Sequence, residues 1–285
     1  MLNRCYLEIT NICNLACRFC PGHVRKPHRL TFEEFDILTD RLEGRVRFLY
    51  FHLMGEPCSH RLLTSFIALA RQKGFIPVLT TNGTLLRSEL LDSLPYKTNI
   101  SLHAFEGNGG DNPQPYIDGV MRFSIEAVRK GCIIVLRLWN QGGLECRNAE
   151  ILKMLEQYAP APWKENRNGY ELCHGLYLEF DSKFEWPDSG PESADSCGVE
   201  EDVSDLFCYA LRNQIGILAD GTVVPCCLDH NGRMPLGNLF SQSLEEILAS
   251  PVARRIYDGF TAHKAVEPMC RKCGYAMVTK RHRMG

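Results

Sequence analysis

The sequence lacks several features that would place it in a common functional class. Its apolar stretches are short and interrupted, far below the ~20 residues that a bilayer crossing needs. Its first residues, MLNRCYLEIT, contain neither the apolar core nor the cleavage site of a signal peptide. Lys and Arg total 32 against 34 Asp and Glu, so no basic excess predicts a nucleic-acid partner. We therefore expect a cytoplasmic protein with neither a membrane nor a nucleic-acid partner.

Two phosphate-binding motifs are also missing. No strand-like segment leads into a GxGxxG turn or a GxxxxGK[ST] loop. This argues against NAD-dependent chemistry and nucleotide hydrolysis. The remaining indications of function must come from other residue types.

Cysteine is the abundant residue type, with 14 in 285 residues. A chain of this length does not need disulfides for stability, and no export signal is visible, so the count indicates metal ligation or redox chemistry. The cysteines that form groups are Cys13, Cys17, Cys20, Cys208, Cys226, Cys227, Cys270 and Cys273. Most of the single ones are interpreted as small buried apolar residues, namely Cys5, Cys58, Cys132, Cys146, Cys173 and Cys197.

Strand-like and helix-like segments alternate up to about residue 160, and this alternation predicts an α/β fold with a parallel sheet. Strands are predicted at 4–10, 48–54, 76–80, 99–104, 132–139 and 176–182. A capping box at Thr31 and Glu34 predicts one helix start. Further helices are predicted at about 60–73, 86–93, 116–130 and 148–158, with a short one at 243–256. A change in composition after 160 predicts two domains, 1–185 and 186–285.

The first cysteine group, Cys13-Asn-Leu-Ala-Cys17-Arg-Phe-Cys20, follows the first predicted strand. A [4Fe–4S] cluster normally takes four cysteine ligands, so three would leave one iron open. A structural zinc site with His23 as fourth ligand is the alternative.

The spacing, with the aromatic Phe19 before the third cysteine, resembles the signature of the radical S-adenosylmethionine (SAM) superfamily. The resemblance implies a partial (β/α)6 barrel of the TIM type. It also implies that SAM binds the open iron and is cleaved reductively to methionine and a 5′-deoxyadenosyl radical, which abstracts hydrogen from a substrate. In this interpretation Cys13, Cys17 and Cys20 are the metal ligands and the catalytic residues.

Two other segments are similar to elements of that family. Met54-Gly55-Glu56-Pro57 resembles its GGEP element, with Met54 as a departure, and Thr81-Asn82-Gly83 resembles its TNG turn. Ser101, His103 and Arg137 lie at predicted strand ends where relatives contact SAM or substrate, although a purely structural role is an alternative. Glu179 shares a strand face that is predicted to point into the barrel. The residues predicted to bind the cofactor are Phe19, Gly55, Glu56, Pro57, Thr81, Asn82, Ser101, Arg137 and Glu179.

The late cysteines resemble the start of a SPASM domain, in its truncated "twitch" form with one auxiliary [4Fe–4S] cluster. The resemblance implies Cys208, Cys226, Cys270 and Cys273 as the four ligands. Cys227 is expected to pack beneath them. A zinc ribbon is the alternative.

A closed cluster beside a radical site can accept an electron from the substrate. The expected function is therefore oxidation (dehydrogenation) of an unactivated C–H centre in a small molecule. The alternatives are a maturase for ribosomally made peptides and a non-catalytic iron–sulfur or zinc-binding adaptor. The expected electron donor is a flavodoxin or ferredoxin, and the basic run at 280–283 is a conceivable docking site for it.

Overall fold

The parallel sheet that the sequence predicts is present in the computed structural model. The structure describes residues 2–102, 112–139, 148–181, 184–187 and 205–277. The strands are β1 (Leu2–Leu7), β2 (Val46–Phe51), β3 (Ile76–Thr81), β4 (Lys97–Ser101), β5 (Ile133–Trp139), β6 (Lys164–Asn166), β7 (Gly169–Cys173), β8 (Leu176–Asp181), β9 (Gln214–Ile217), β10 (Thr222–Val224) and β11 (Gly237–Asn238). The helices are α1 (Phe32–Leu42), α2 (Leu63–Gln72), α3 (Gln114–Arg129), α4 (Asn148–Glu156), α5 (Leu244–Ala249), α6 (Pro251–Thr261) and α7 (Pro268–Arg271).

These strands form one open sheet in the order β11-β10-β9-β1-β2-β3-β4-β5-β8-β7-β6. The six strands from β1 to β5 and β8 are all parallel, which is the partial barrel that the sequence predicts. Strand β9, from the tail of the chain, extends this barrel because it pairs in parallel with β1. All these strands carry their carboxyl ends to one edge, where an α/β barrel places its site.

Local sequence signals account for several element boundaries. The Thr31–Glu34 capping box is present at the start of α1, and α1 buries Phe35, Leu38 and Leu42 against the sheet. The Asp220-Gly221 turn joins β9 to β10. None of the helices within the described ranges has both the length and the apolar character that a membrane crossing requires.

Some predicted elements are wrong in detail. The segment at 86–93 forms only a 3-10 helix, Ser88–Asp92. The single helix predicted at 243–256 is two helices, because Ser250 caps a new helix that begins with Pro251. The antiparallel hairpin β6–β7 was not predicted, although Asn168-Gly169 is a turn signal.

Several predictions concern residues outside the described ranges or a boundary that the structure does not test. The domain boundary after 185 lies in the short described stretch 184–187 and stays a prediction. His103 and the basic run at 280–283 lie outside the described residues. Among the single cysteines, Cys5, Cys58 and Cys132 are buried as expected, whereas Cys173 is exposed, and Cys146 and Cys197 lie outside the described residues.

Candidate functional site

The first cysteine loop begins a few residues after β1, at the carboxyl edge of the sheet. Cys13 and Cys20 are exposed and Cys17 is half-buried, so all three thiols are accessible. The backbone N–H of Leu15 donates to Cys13 Sγ at 3.4 Å, and the N–H of Cys20 donates to the Cys17 carbonyl at 3.0 Å. An N–H···S bond is one of the contacts by which proteins tune iron–sulfur clusters.

The segment after β2 lies directly against the start of this loop. Gly55 has φ +76°, and a Cβ atom there would lie 2.3 Å from the carbonyl oxygen of Thr10. The next residue, Glu56, donates its backbone N–H to the Ile12 carbonyl at 3.0 Å. Because only glycine tolerates both the dihedral and the close approach, Gly55 fixes the contact between the two segments.

The carboxylate of Glu56 is buried and fully engaged. It accepts hydrogen bonds from the Cys58 N–H at 2.8 Å, the Thr81 hydroxyl at 2.6 Å and the Asn82 N–H at 2.7 Å. Burial raises the pKa of Glu56, and these hydrogen bonds oppose that shift. The Asn82 side chain donates to Asn14 at 3.0 Å and lies 4.0 Å from Cys13 Sγ. Glu56 therefore holds the ends of β2 and β3 together beside the cysteine loop.

Three predicted residues lie across the neighbouring strands β4, β5 and β8. Ser101 is opposite Arg137, and Arg137 is opposite Glu179. The Arg137 Nε lies 3.5 Å from a Glu179 carboxylate oxygen. Glu179 is thus the ionic partner of Arg137 and orients its guanidinium group.

The late cysteines form a second group. Burial raises the pKa of each one: to about 11 for Cys273, to about 12 for Cys227, and in the same direction for Cys208, Cys226 and Cys270. The Cys226 thiol lies within electrostatic range of Cys208, Cys227, Cys270 and Cys273, and the Cys227 thiol within range of Cys208 and Cys273. Backbone N–H groups of Ala210 and Ala276 donate to Cys208 and Cys273 respectively.

Both cysteine groups line one cavity of about 1260 Å³. Cys227 lines it too and packs against a small buried apolar cluster that includes Tyr6 and Leu53. Whether Cys226 or Cys227 is a ligand stays a prediction. The predicted cofactor residues that reach the cavity are Phe19, Gly55, Glu56, Thr81, Asn82, Ser101 and Arg137. Two do not line it: Pro57 begins a buried 3-10 turn after Glu56, and Glu179 lies beside Arg137 on the neighbouring strand.

Comparison with protein families assigns the two parts of the chain separately. Residues 7–107 match the radical SAM superfamily, and residues 208–274 match SPASM, an iron–sulfur cluster-binding domain. The chain is a radical SAM protein with a SPASM domain. Radical SAM domains hold a [4Fe–4S] cluster and bind SAM, and SPASM domains bind auxiliary iron–sulfur clusters.

Two curated relatives match this radical SAM protein over short segments. The tungsten-containing aldehyde ferredoxin oxidoreductase cofactor-modifying protein of Pyrococcus furiosus is 34% identical over 97 residues, which is 31% of this chain and 26% of the relative. The S-adenosylmethionine-dependent nucleotide dehydratase of Selenomonas ruminantium is 34% identical over 82 residues, 28% of this chain and 30% of the relative. The match therefore spans less than a third of either relative.

Solved structures share the fold over almost the whole chain. BtrN in complex with AdoMet and 2-DOIA has a TM-score of 0.58 at 17% identity, covering 96% of this chain and 93% of that one. The enzyme anSMEcpe with bound AdoMet and the Kp18Cys peptide has a TM-score of 0.61 at 13% identity, covering 95% and 88%. Streptococcus suis SuiB bound to S-adenosylmethionine has a TM-score of 0.59 at 14% identity, covering 90% and 68%. At these identities the likeness shows the fold.

The residues of the radical SAM domain fit a cluster and SAM in two respects. Its three cysteine thiols, which are soft ligands suited to iron–sulfur clusters, open onto the cavity. The close approach at Gly55 leaves no room for a side chain where the two backbone segments meet. Within the described ranges, no group of three or more His, Cys, Asp or Glu side chains is close enough to hold a single metal ion.

Several residues of this site were not predicted from the sequence. Arg4, Tyr6, His52 and Gln214 line the cavity from the inner faces of β1 and β9 and the end of β2. Further aromatic rings surround Phe19 within 6.2 Å, from Trp139, Phe184 and Trp186. The alternation of strand side chains was a usable signal, since Arg4 and Tyr6 share one face of β1. We also missed Glu8, which is fully buried beside the cysteine loop.

Proposed function

We propose that this radical SAM protein oxidises a small organic substrate by removing two hydrogens from it. The observation that carries the proposal is that both cysteine groups line the same cavity. A substrate in that cavity would contact the site where the radical forms and also lie near an electron acceptor. Two unconnected sites would favour a structural role for the second group instead.

The ligand sets are part of the proposal. Cys13, Cys17 and Cys20 would hold the SAM-binding [4Fe–4S] cluster, and the four late cysteines, Cys208, Cys226, Cys270 and Cys273, would hold an auxiliary [4Fe–4S] cluster. Together these groups would supply a radical that takes a hydrogen atom from the substrate and an acceptor for the electron that the substrate releases with a proton. The substrate would lose two hydrogens in all, as when an alcohol becomes a ketone.

The segment at 54–57 would contact the methionine part of SAM through its backbone. The Glu56 carboxylate already accepts three hydrogen bonds from the chain, from Cys58, Thr81 and Asn82. It therefore fixes the shape of the segment and leaves backbone carbonyl groups to accept from the SAM ammonium. Gly55 allows the main chain to come close to the ligand as well as to Thr10.

Strands β4 and β5 would contact the ribose or carboxylate of SAM. Ser101 and Arg137 are opposite each other at the ends of these strands, and both line the cavity. The Glu179 carboxylate would keep the Arg137 guanidinium in one orientation, since a paired arginine loses fewer conformations on binding. Phe19 would pack against SAM with the aromatic rings around it.

The experiment is anaerobic reconstitution followed by product analysis. With dithionite, or with a flavodoxin or ferredoxin as donor, the protein should convert SAM to 5′-deoxyadenosine. Two clusters of four irons each predict about eight irons per chain. Replacing Cys13, Cys17 and Cys20 by Ala should abolish SAM cleavage and remove about four irons. Cys208→Ala should lower the iron content but retain SAM cleavage.

The matched control is Cys173→Ala, because Cys173 is exposed and lies outside both groups. It should leave iron content and SAM cleavage unchanged. Absence of SAM cleavage under every reductant would favour an iron–sulfur or zinc-binding adaptor and reject the enzymatic proposal. Crosslinking or epimerisation of a peptide, with no net oxidation of a small molecule, would favour the peptide maturase.

A further inference from the structure

The charged side chains that line the cavity differ in whether they already have a partner. Within the described ranges, the Arg, Lys, Asp and Glu side chains that line it are Arg4, Arg137 and Glu56. Glu56 is saturated by hydrogen bonds from the chain, and Arg137 is paired with Glu179. Arg4 remains: no carboxylate lies within ion-pair distance of it in the part of the chain that the structure describes.

Arg4 lies on the inner face of the barrel, remote from the first cysteine loop. Its register partners are Phe48 on β2 and Gln214 on β9, and Gln214 also lines the cavity. Four residues of extended chain, about 13 Å, separate Arg4 from Glu8, which contacts the Met54 backbone. A group bound at Arg4 is therefore well separated from the methionine part of a SAM molecule at Gly55.

Polar and aromatic side chains lie close to the Arg4 guanidinium group. The Tyr6 hydroxyl accepts from Arg4, and Tyr275 lies within electrostatic range of both Arg4 and Arg137. The Tyr6 ring is 5.4 Å from the ring of His52, whose Nδ1 is buried without a hydrogen-bond partner in the described structure. A buried polar atom of this kind requires a partner, which a bound ligand can provide.

From this geometry we propose that Arg4, with Tyr6, Gln214 and His52, binds an anionic group of the substrate, a phosphate or a carboxylate. A guanidinium group without a carboxylate partner binds either oxyanion through two parallel hydrogen bonds. The unpaired charge of Arg4 also disfavours a polycationic substrate. This inference rests on the proposed function, because it takes the cavity as the substrate site, and it specifies the substrate class.

The test measures anion binding close to the clusters. Reduced clusters are paramagnetic, so the reconstituted, SAM-loaded, reduced protein should broaden the ³¹P signal of inorganic phosphate or the ¹³C signal of acetate in a saturable way. The two probes distinguish phosphate from carboxylate recognition. Tetramethylammonium, a cation of similar size, should show no saturable broadening.

The variants localise that binding. Arg4→Gln should weaken it roughly 10- to 100-fold, the usual value of a charge-assisted hydrogen bond. Arg4→Lys should retain part of it, which guards against a folding defect in the Gln variant. Arg47→Gln makes the same charge change at an exposed position of β2 and should have no effect.

Three results would overturn the inference. The first is no saturable broadening with either anion, and the second is an anion affinity in Arg4→Gln equal to that of the wild type. The third is a changed auxiliary-cluster EPR signal in Arg4→Gln with anion affinity unaltered. The last would assign Arg4 as a counter-charge for the cluster near Cys227. The assay measures anion binding and not product formation. If anions fail to bind while 5′-deoxyadenosine still forms, this inference fails alone. If SAM is not cleaved, the proposed function fails whatever the anion result.

Discussion

Glu8 and Arg25 form a buried bidentate ion pair, with both N···O distances at 2.6 Å. Glu8 lies immediately after β1, and Arg25 lies in the segment that follows the first cysteine loop. The same carboxylate accepts backbone N–H groups of Met54 at 3.1 Å and Ala219 at 2.9 Å. The Arg25 Nε donates to the His230 carbonyl at 2.7 Å. One ion pair therefore joins the cysteine loop, the segment after β2 and the SPASM region.

Replacing Glu8 by Gln should be strongly destabilising. The amide can no longer pair with the Arg25 charge and accept from two backbone groups at once. Because removing one partner of a buried ion pair leaves an uncompensated charge, we expect the free energy of unfolding to fall by about 3–5 kcal/mol. Urea denaturation under anaerobic conditions measures it.

The control for that variant is Glu245→Gln, which breaks the exposed Arg45–Glu245 pair. A surface ion pair of this kind contributes about 1 kcal/mol or less. Equal losses in the two variants would contradict the role given to Glu8.

Gly55→Ala should impair SAM binding far more than its effect on backbone conformation alone predicts. The new Cβ would lie 2.3 Å from the Thr10 carbonyl oxygen, so the segment must move away from the cysteine loop. We expect SAM affinity to fall by about tenfold or more, equivalent to about 1.4 kcal/mol. Equilibrium dialysis with the reconstituted protein measures this.

Gly44→Ala separates the effect of the backbone dihedral from that of the contact with Thr10. Gly44 has a similar φ of +71° but no atom within 4 Å of its Cβ position. The substitution should lower stability by about 1–2 kcal/mol through the left-handed backbone alone. SAM affinity should be unchanged. If both variants bind SAM equally well, the contact between Gly55 and Thr10 is unimportant for the ligand.

The sequence was sufficient to predict where the first cysteine loop lies. Parallel strands all end at one edge, so a loop after β1 and the turns after β2 and β3 must meet there. In the structure Gly55 lies against Thr10 and Asn11, just before that loop, and the Asn82 amide lies 4.0 Å from Cys13 Sγ.

The roles of Arg4 and Glu8 were not predictable in this way. The alternation of β1 shows that they share a face, but their environment depends on segments far along the chain. Glu8 contacts Ala219, 211 residues away, because β9 pairs with β1. Nothing local to either residue indicates that a tail strand joins this edge of the sheet.

Cys226 rather than Cys227 should be a ligand of the auxiliary cluster. Cys226 interacts with each of the three other predicted ligands, Cys208, Cys270 and Cys273. Cys226→Ala should therefore lower the iron content of reconstituted protein from about eight to about four atoms, the content of one cube. Cys227→Ala should retain all of it. Iron analysis with EPR spectroscopy compares them, and the reverse pattern would assign Cys227 as the ligand.

His52 should make the cluster-free protein less stable in mild acid. Burial, with a smaller contribution from the Arg137 charge, lowers the pKa of His52 to about 3, compared with about 6.5 in an unfolded chain. Between these two pH values the unfolded chain binds a proton that the folded protein does not. The contribution of His52 to the free energy of unfolding is therefore fully present above about pH 6.5 and declines as the pH falls. At pH 5 the free energy of unfolding should be lower by up to about 2 kcal/mol because of His52 alone.

His52→Phe should remove that part of the pH dependence, because phenylalanine binds no proton. Urea denaturation of the apoprotein at pH 7 and pH 5 gives the difference for each variant. His174→Gln, at an exposed position on the loop before β8, should keep the wild-type dependence. If wild type and His52→Phe lose the same stability between the two pH values, His52 is protonated in the folded protein. At pH 5 the cavity that Arg4 and Tyr6 line would then hold a charged imidazolium group instead of a neutral imidazole.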